Sequence, residues 1–209
     1  SSGATSSPAD SHYGLTVSDS AIGFSYFDGI DATDTPISVT STNKGITGTI
    51  NNIGSIGINA IFDSSAPAIP ADALHIDGMT FGSSAPFGVN ACTSNQPCYI
   101  GNQAILGTFV PNATQRVSIN NSNFYRAGTY GGHLGAVSRP AVTGKTVICN
   151  GLGAPTTGAT CTGSGPIYSA VYLNQATADL AQAPVSTGQI TGNHGYGNGL
   201  DAIAFNGAV

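Results

Sequence analysis

Short runs in which apolar and polar residues alternate recur along the chain. They begin at Leu15 (LTVSDSAIG), Ile46 (ITGTINNIG), Leu74 (LHIDGMTFG), Val117 (VSINNSNFY) and Gln189 (QITGNHGYG). A period of two marks a half-buried strand. Each run reaches a small or polar residue: Ser18, Asn51, Asp77, Asn120 or Gly192. Gly, Asn and Asp near these positions tolerate the positive φ that a tight turn needs. Further along each stretch comes a second signature: Gly, an apolar residue, Asp or Asn, then Ala. It reads Gly29-Ile30-Asp31-Ala32, Gly57-Ile58-Asn59-Ala60, Gly88-Val89-Asn90-Ala91 and Gly199-Leu200-Asp201-Ala202. A degraded copy, Gly132-His133-Leu134-Gly135-Ala136, carries one extra residue.

One unit therefore reads as strand, tight turn, short strand, Gly-rich turn, strand and variable loop. Such a unit, of about 25–30 residues, cannot bury its apolar side alone. Stacked on its neighbours at about 4.8 Å per layer, it can. In that arrangement Ile30, Ile58, Val89 and Leu200 stack inward. Leu15, Val17, Leu74, Ile76, Val117, Ile119 and Ile190 form a second inward stack. The Asp or Asn of each signature points outward or sits at a bend.

On these residues, above all the run from Ile190 to Ile203, the chain resembles the right-handed parallel β-helix repeat of pectate-lyase-like proteins and many bacterial surface proteins. The resemblance covers Leu15 to Val209, interrupted at about 92–115 and 139–188. It implies an all-β, right-handed parallel β-helix (solenoid) of about five to seven coils. A polar segment, 1–12, precedes a single domain, 13–209. The stretch Ser169–Ala183 reads either as a short helix with Leu173, Ala176 and Leu180 on one face or as extended wall. The apolar C-terminal run lacks the polar cap a stacked repeat requires, so a piece of a longer protein is expected. An antiparallel sandwich or a pilin-like or capsid-like shell domain shares this composition but leaves the repeat unexplained.

Composition narrows the partners. Charged residues are 7% of the chain, and all ten acids are Asp. Coiled coils and long solvated helices need Glu, Lys and Arg on their wet faces, so both are excluded. No stretch of about 18 apolar residues occurs, so no membrane insertion by a helix is expected. The basic residues are Lys44, Arg116, Arg126, Arg139 and Lys145, too few to neutralise a run of phosphates. Nucleic acid is therefore excluded as a partner. Cys92 and Cys98 bracket one turn-rich loop, and Cys149 and Cys161 another. Neither spacing suits a metal, and no His lies near. Two disulfide-pinned loops are expected, and with them an oxidising, extracellular or cell-surface location.

Candidate chemistry is sparse. In the architecture the chain resembles, lyases hold calcium with several Asp beside a basic residue, and hydrolases use an Asp trio with a His. Here Asp31 and Asp201 take signature positions at opposite ends of the chain, too far apart for a glycosidase pair. His194 precedes Asp201 closely and offers an acid–base pair with it, so Asp31, His194 and Asp201 are the catalytic candidates. Asp28, Asp31 and Asp34 are the calcium candidates, although they lack the EF-hand pattern; no other cofactor is expected. Tyr26, Tyr125, Tyr130 and Tyr196 are the ligand-binding candidates, because tyrosine beside Asn, Asp and Gly suits the stacking and hydrogen bonding of sugar. The expected function is a non-enzymatic structural or adhesive module of a surface or filament protein, contacting glycans. The alternatives are a polysaccharide lyase or glycoside hydrolase working in a wall groove, and self-assembly of copies through open strand edges.

Overall fold

The computed structural model describes residues 14–42, 48–62, 72–82, 100–108, 116–144, 146–148, 150–151, 168–175 and 189–206. Within them the chain is all β, built as three parallel sheets without a helix. The first sheet holds β1 (Leu15–Ser18), β4 (Ile37–Thr40), β7 (Asp72–Asp77), β10 (Arg116–Asn120), the later part of β12 (Gly132–Thr143) and β15 (Gln189–Thr191). The second holds β2 (Ala21–Ser25), β5 (Thr49–Ile53), β8 (Thr80–Phe81), β11 (Asn123–Tyr125), β13 (Thr146–Ile148) and β16 (His194–Tyr196). The third holds β3 (Ile30–Thr33), β6 (Ile58–Ile61), β9 (Ile105–Thr108), the start of β12, β14 (Val171–Gln175) and β17 (Ile203–Asn206). The chain visits the sheets in strict rotation, making six rungs.

Alternation sets which side chains face inward. On the first sheet Val17, Val39, Ile76, Ile119, Val142 and Ile190 stand in register, and the middle four are buried. On the second, Ile50, Phe81 and Phe124 stack, the two phenylalanine rings 5.0 Å apart. On the third, Ile30, Ile58, Ile105, Gly132, Val171 and Ile203 form the column. Of the inward stacks read from the sequence, Ile30 and Ile58 stand in the column of the third sheet, and Leu15, Val17, Leu74, Ile76, Val117, Ile119 and Ile190 stand in the columns of the first, which Ile37 and Val39 join. Two readings need correction. Leu200 is 57% exposed, because Ile203 takes the inward place of the sixth rung. The run beginning at Ile46 contributes Thr49–Ile53 to the second sheet, not the first. Val89, the four cysteines and their loops, apart from Asn150 and Gly151, lie outside the described residues.

The turns explain the glycine repeat. Between the first and second sheets one column reads Asp19, Ser41, Gly78, Asn121, Gly144 and Gly192, and all but Ser41 take positive φ. Between the second and third sheets there are two corners. The first carries Gly54, Gly101, Gly128, Gly151 and Gly199 in one column, each amide bonded to the rung before. The second carries Gly29, Gly57, Ala104, Gly131, Ala170 and Ala202. At both corners the backbones of neighbouring rungs approach closely. A Cβ on Gly29 would sit 2.7 Å from the Gly57 carbonyl oxygen, and one on Gly101 would collide with that of Gly54. Gly132, by contrast, points into the core, where a Cβ meets only a Val171 methyl at 3.7 Å.

Two substitutions separate these roles. Gly101→Ala is expected to cost on the order of 3 kcal/mol or to prevent folding, because backbone must move. Gly132→Ala is expected to change stability by less than about 1 kcal/mol, since the methyl enters an inward position without collision. Thermal unfolding of the two variants checks the contrast; equal losses would refute the corner argument.

Candidate functional site

Side chains on the outer face of the third sheet stand in register from rung to rung. One column reads Asp31, Asn59, Leu106, His133, Tyr172 and Ala204. The corner residues just before the sheet read Asp28, Ile56, Gln103, Tyr130, Ser169 and Asp201. Where these columns cross the fourth and fifth rungs, aromatic rings gather. Tyr130 lies 4.6 Å from the His133 ring, 5.1 Å from Tyr168 and 5.9 Å from Tyr172, between centroids. His133 and Tyr172, paired across β12 and β14, are 5.6 Å apart and edge to face. All four residues are partly buried, so each leaves part of its surface to solvent.

The electrostatics are those of a neutral surface. Burial lowers the pKa of His133 from its ordinary value, which favours the uncharged imidazole. Its Nδ1 and the Oε1 of neighbouring Gln103 are buried without a partner among the described residues. Burial, then the fields of Tyr168 and Tyr172, raise the pKa of the Tyr130 phenol. The cluster therefore offers neutral rings and hydroxyls, the chemistry that stacks on and hydrogen-bonds a polyol.

The acids mostly serve the stack. Asp28 accepts hydrogen bonds from the Ile56 amide at 3.1 Å and from Asn59 Nδ2 at 3.4 Å. Asn59 Nδ2 also reaches Asp31 Oδ1 at 3.2 Å, so one amide joins the two carboxylates. Asp34 takes positive φ beyond β3. Among the described residues no group of three His, Cys, Asp or Glu side chains is placed to hold a metal ion. Asp19 accepts from Ser41 and the Thr42 amide at 2.9 Å, and Asp77 from Asn121 at 3.0 Å, each across a rung.

The catalytic candidates do not converge. Asp31 lies on the first rung and Asp201 on the sixth, five steps or about 24 Å apart. Asp201 also stands at the corner, in register with Asp28, and not in the Asp31 column where the signature put it. Its carboxylate accepts from Ser169 Oγ at 3.2 Å. His194 opens β16 on the second sheet, at the edge of a hollow of about 340 Å³ that Asp201 does not line. Of the tyrosine candidates, Tyr130 alone joins the cluster. Tyr26 is 84% exposed on the first rung, edge to face with Phe27 at 5.0 Å. Tyr125 lies on the second sheet, half-buried, with its phenol pKa raised by that burial. The backbone of Tyr196 lies two rungs further along that sheet, and its side chain lies outside the described residues.

Sequence reasoning missed two contacts. Tyr168 and Tyr172 reach Tyr130 only through the stacking of the fourth and fifth rungs. On the first sheet, His75 Nδ1 lies 2.6 Å from Ser118 Oγ, across the β7–β10 pair. The alternation in both runs signals that the two side chains share a face, but not that they are adjacent.

No protein-family model, curated protein or solved structure matches the chain.

His133 yields a pH prediction. Its folded pKa lies below the unfolded value of 6.5, so the unfolded chain binds the proton more tightly. Its contribution to stability is therefore complete above that value and declines as pH falls below it. The melting temperature of the wild type is expected to fall more steeply on acidification than that of His133→Gln. Parallel profiles for the two would show that His133 is not the group responsible.

Proposed function

We propose that the chain is a right-handed parallel β-helix that acts as a non-catalytic structural or adhesive module, holding glycans on the outer face of its third sheet. The observation that carries this reading is the cluster of Tyr130, His133, Tyr168 and Tyr172, with ring centroids 4.6–5.9 Å apart and every ring partly open. Sugar rings present apolar faces that stack on tyrosine and a rim of hydroxyls that pair with phenols, amides and imidazole. Strict rotation through three parallel sheets is the connectivity of a coil, and parallel crossovers are right-handed in almost every known case. An extracellular or surface location agrees with the paired cysteines, Cys92 with Cys98 and Cys149 with Cys161, read as loop-closing disulfides.

The backbone around the cluster also speaks against turnover there. Its neighbouring backbone amides are engaged between rungs, and an acyl or glycosyl transition state needs donors aimed at developing charge. A second reading rests on one contact: the 2.6 Å approach of His75 and Ser118 has the reach of a base and a nucleophile. That reading makes the chain a hydrolase working on the first sheet.

A panel of soluble polysaccharides, scored for retention and for product release, separates the two. The binding reading expects retention without product, weakened about tenfold or more in Tyr130→Ala, as for an aromatic anchor in a small interface. Product that disappears in Ser118→Ala would replace it with the hydrolase. Retention unchanged by Tyr130→Ala would move the site off the third sheet.

A further inference from the structure

We infer that the third-sheet face selects uncharged glycans and rejects acidic ones. The inference rests on the glycan-binding reading and adds the class of ligand.

Its basis is the charge of the columns around the cluster. The outward column and the corner column of the third sheet contain no Lys or Arg on any of the six rungs. Arg126, four residues before Tyr130, is only 6% exposed and therefore presents little to a ligand. The charges these columns do carry are acidic. Asp201 stands one rung beyond Ser169, beside Tyr168, with its exposed carboxylate bonded to Ser169 Oγ. Asp28 and Asp31 sit on the same face at the first rung. The whole chain carries a net charge of −5.

A uronate or sulfate laid along these two columns meets no cation among the described side chains and approaches at least one carboxylate. Uncompensated like charges in a partly dehydrated contact are unfavourable, and water screens them incompletely there. A hydroxyl-rich neutral polymer meets the opposite situation. The Asp201 carboxylate accepts hydrogen bonds from hydroxyls, and a bond to an ionised acceptor is stronger than one between neutral groups. The rings of Tyr130 and Tyr172 stack without regard to charge, so the acid at the edge decides the class. The low pKa of His133 agrees, because it leaves this imidazole uncharged at neutral pH.

The test uses matched polymers. Galactomannan and a soluble β-glucan are each compared with the same polymer oxidised at C6 to the uronate, by affinity electrophoresis at low and high salt. Wild type, Tyr172→Ala, Asp201→Asn and Asp201→Lys are run, each first shown to unfold cooperatively. Wild type is expected to retain a neutral polymer and to bind its oxidised form at least about tenfold more weakly at low salt, the gap narrowing as salt rises. Asp201→Lys is expected to close or reverse the gap, and Tyr172→Ala to weaken retention of the neutral polymer. Oxidised polymer bound as tightly as neutral, with both lost in Tyr172→Ala, would overturn the selectivity while leaving the site. Retention indifferent to Tyr172→Ala, or none for any polymer, would overturn the glycan reading itself.

Discussion

Close approach of backbone at two corners is the constraint on which everything else depends. Each rung must turn from the second sheet to the third without pushing the next rung away. At the first corner this leaves room only for glycine at Gly54, Gly101, Gly151 and Gly199, and Gly128 stands in the same column. At the second it leaves room for glycine or alanine. With the corners closed, equivalent residues come into register, and the ladders of hydrogen bonds and the apolar columns follow. The same register brings Tyr130, Tyr168 and Tyr172 together across a long interruption in sequence.

Register also accounts for the unusual composition. In a stack of parallel rungs, residues in one column face each other at about 4.8 Å, and like charges so placed repel. A column of Lys or Glu would destabilise the stack, whereas Ser, Thr and Asn can bond to their own kind. The described side chains do this. Thr143 donates to Asn120 at 2.8 Å, Thr129 to Asn102 at 2.6 Å, and Asn150 Nδ2 to Asn198 at 3.3 Å. Asn150 is fully buried, and its Oδ1 accepts from the Ala127 amide at 3.0 Å, satisfying backbone within the core. Several of the acids are spent in the same way, as Asp19, Asp28 and Asp77 each bridge to the next rung. Among the described residues these carboxylates bond across rungs, and no three of them gather with each other or with His to hold a metal ion.

Much of this was legible in the sequence, and the misplaced Gly-apolar-Asp/Asn-Ala signatures share one physical origin. Alternation at Leu15, Leu74, Val117 and Ile190 marked strands of the first sheet correctly, and Gly29 and Gly57 marked the second corner. Glycine is demanded at both corners, so its spacing does not say which corner it serves. Gly199 belongs to the first corner, and for that reason Leu200 and Asp201 were misplaced by three residues relative to Ile203 and Ala204. Ala104 and Ala170 serve the second corner without glycine, so the third-sheet strands of those rungs, Ile105–Thr108 and Val171–Gln175, carried no signature. The degraded copy is shifted by one residue, with Gly131 at the corner and Gly132 in the core. The aromatic cluster was hidden for a related reason. Rung lengths vary, and only the pairing of His133 with Tyr172 reveals which tyrosines are neighbours.

The central claim is that six rungs stack in register, and distances between exposed positions test it directly. Spin labels on ketone-bearing residues, which spare the cysteines, would be placed at Ser18 with Thr191 and at Thr33 with Thr108. The first pair is five rungs apart in the first sheet and the second pair two rungs apart in the third. At about 4.8 Å per rung, backbone separations of about 24 Å and about 10 Å are expected, each with a narrow distribution. A Ser18–Thr191 distance no longer than the Thr33–Thr108 distance, or a broad spread for either, would contradict the stack and every site argument built on it.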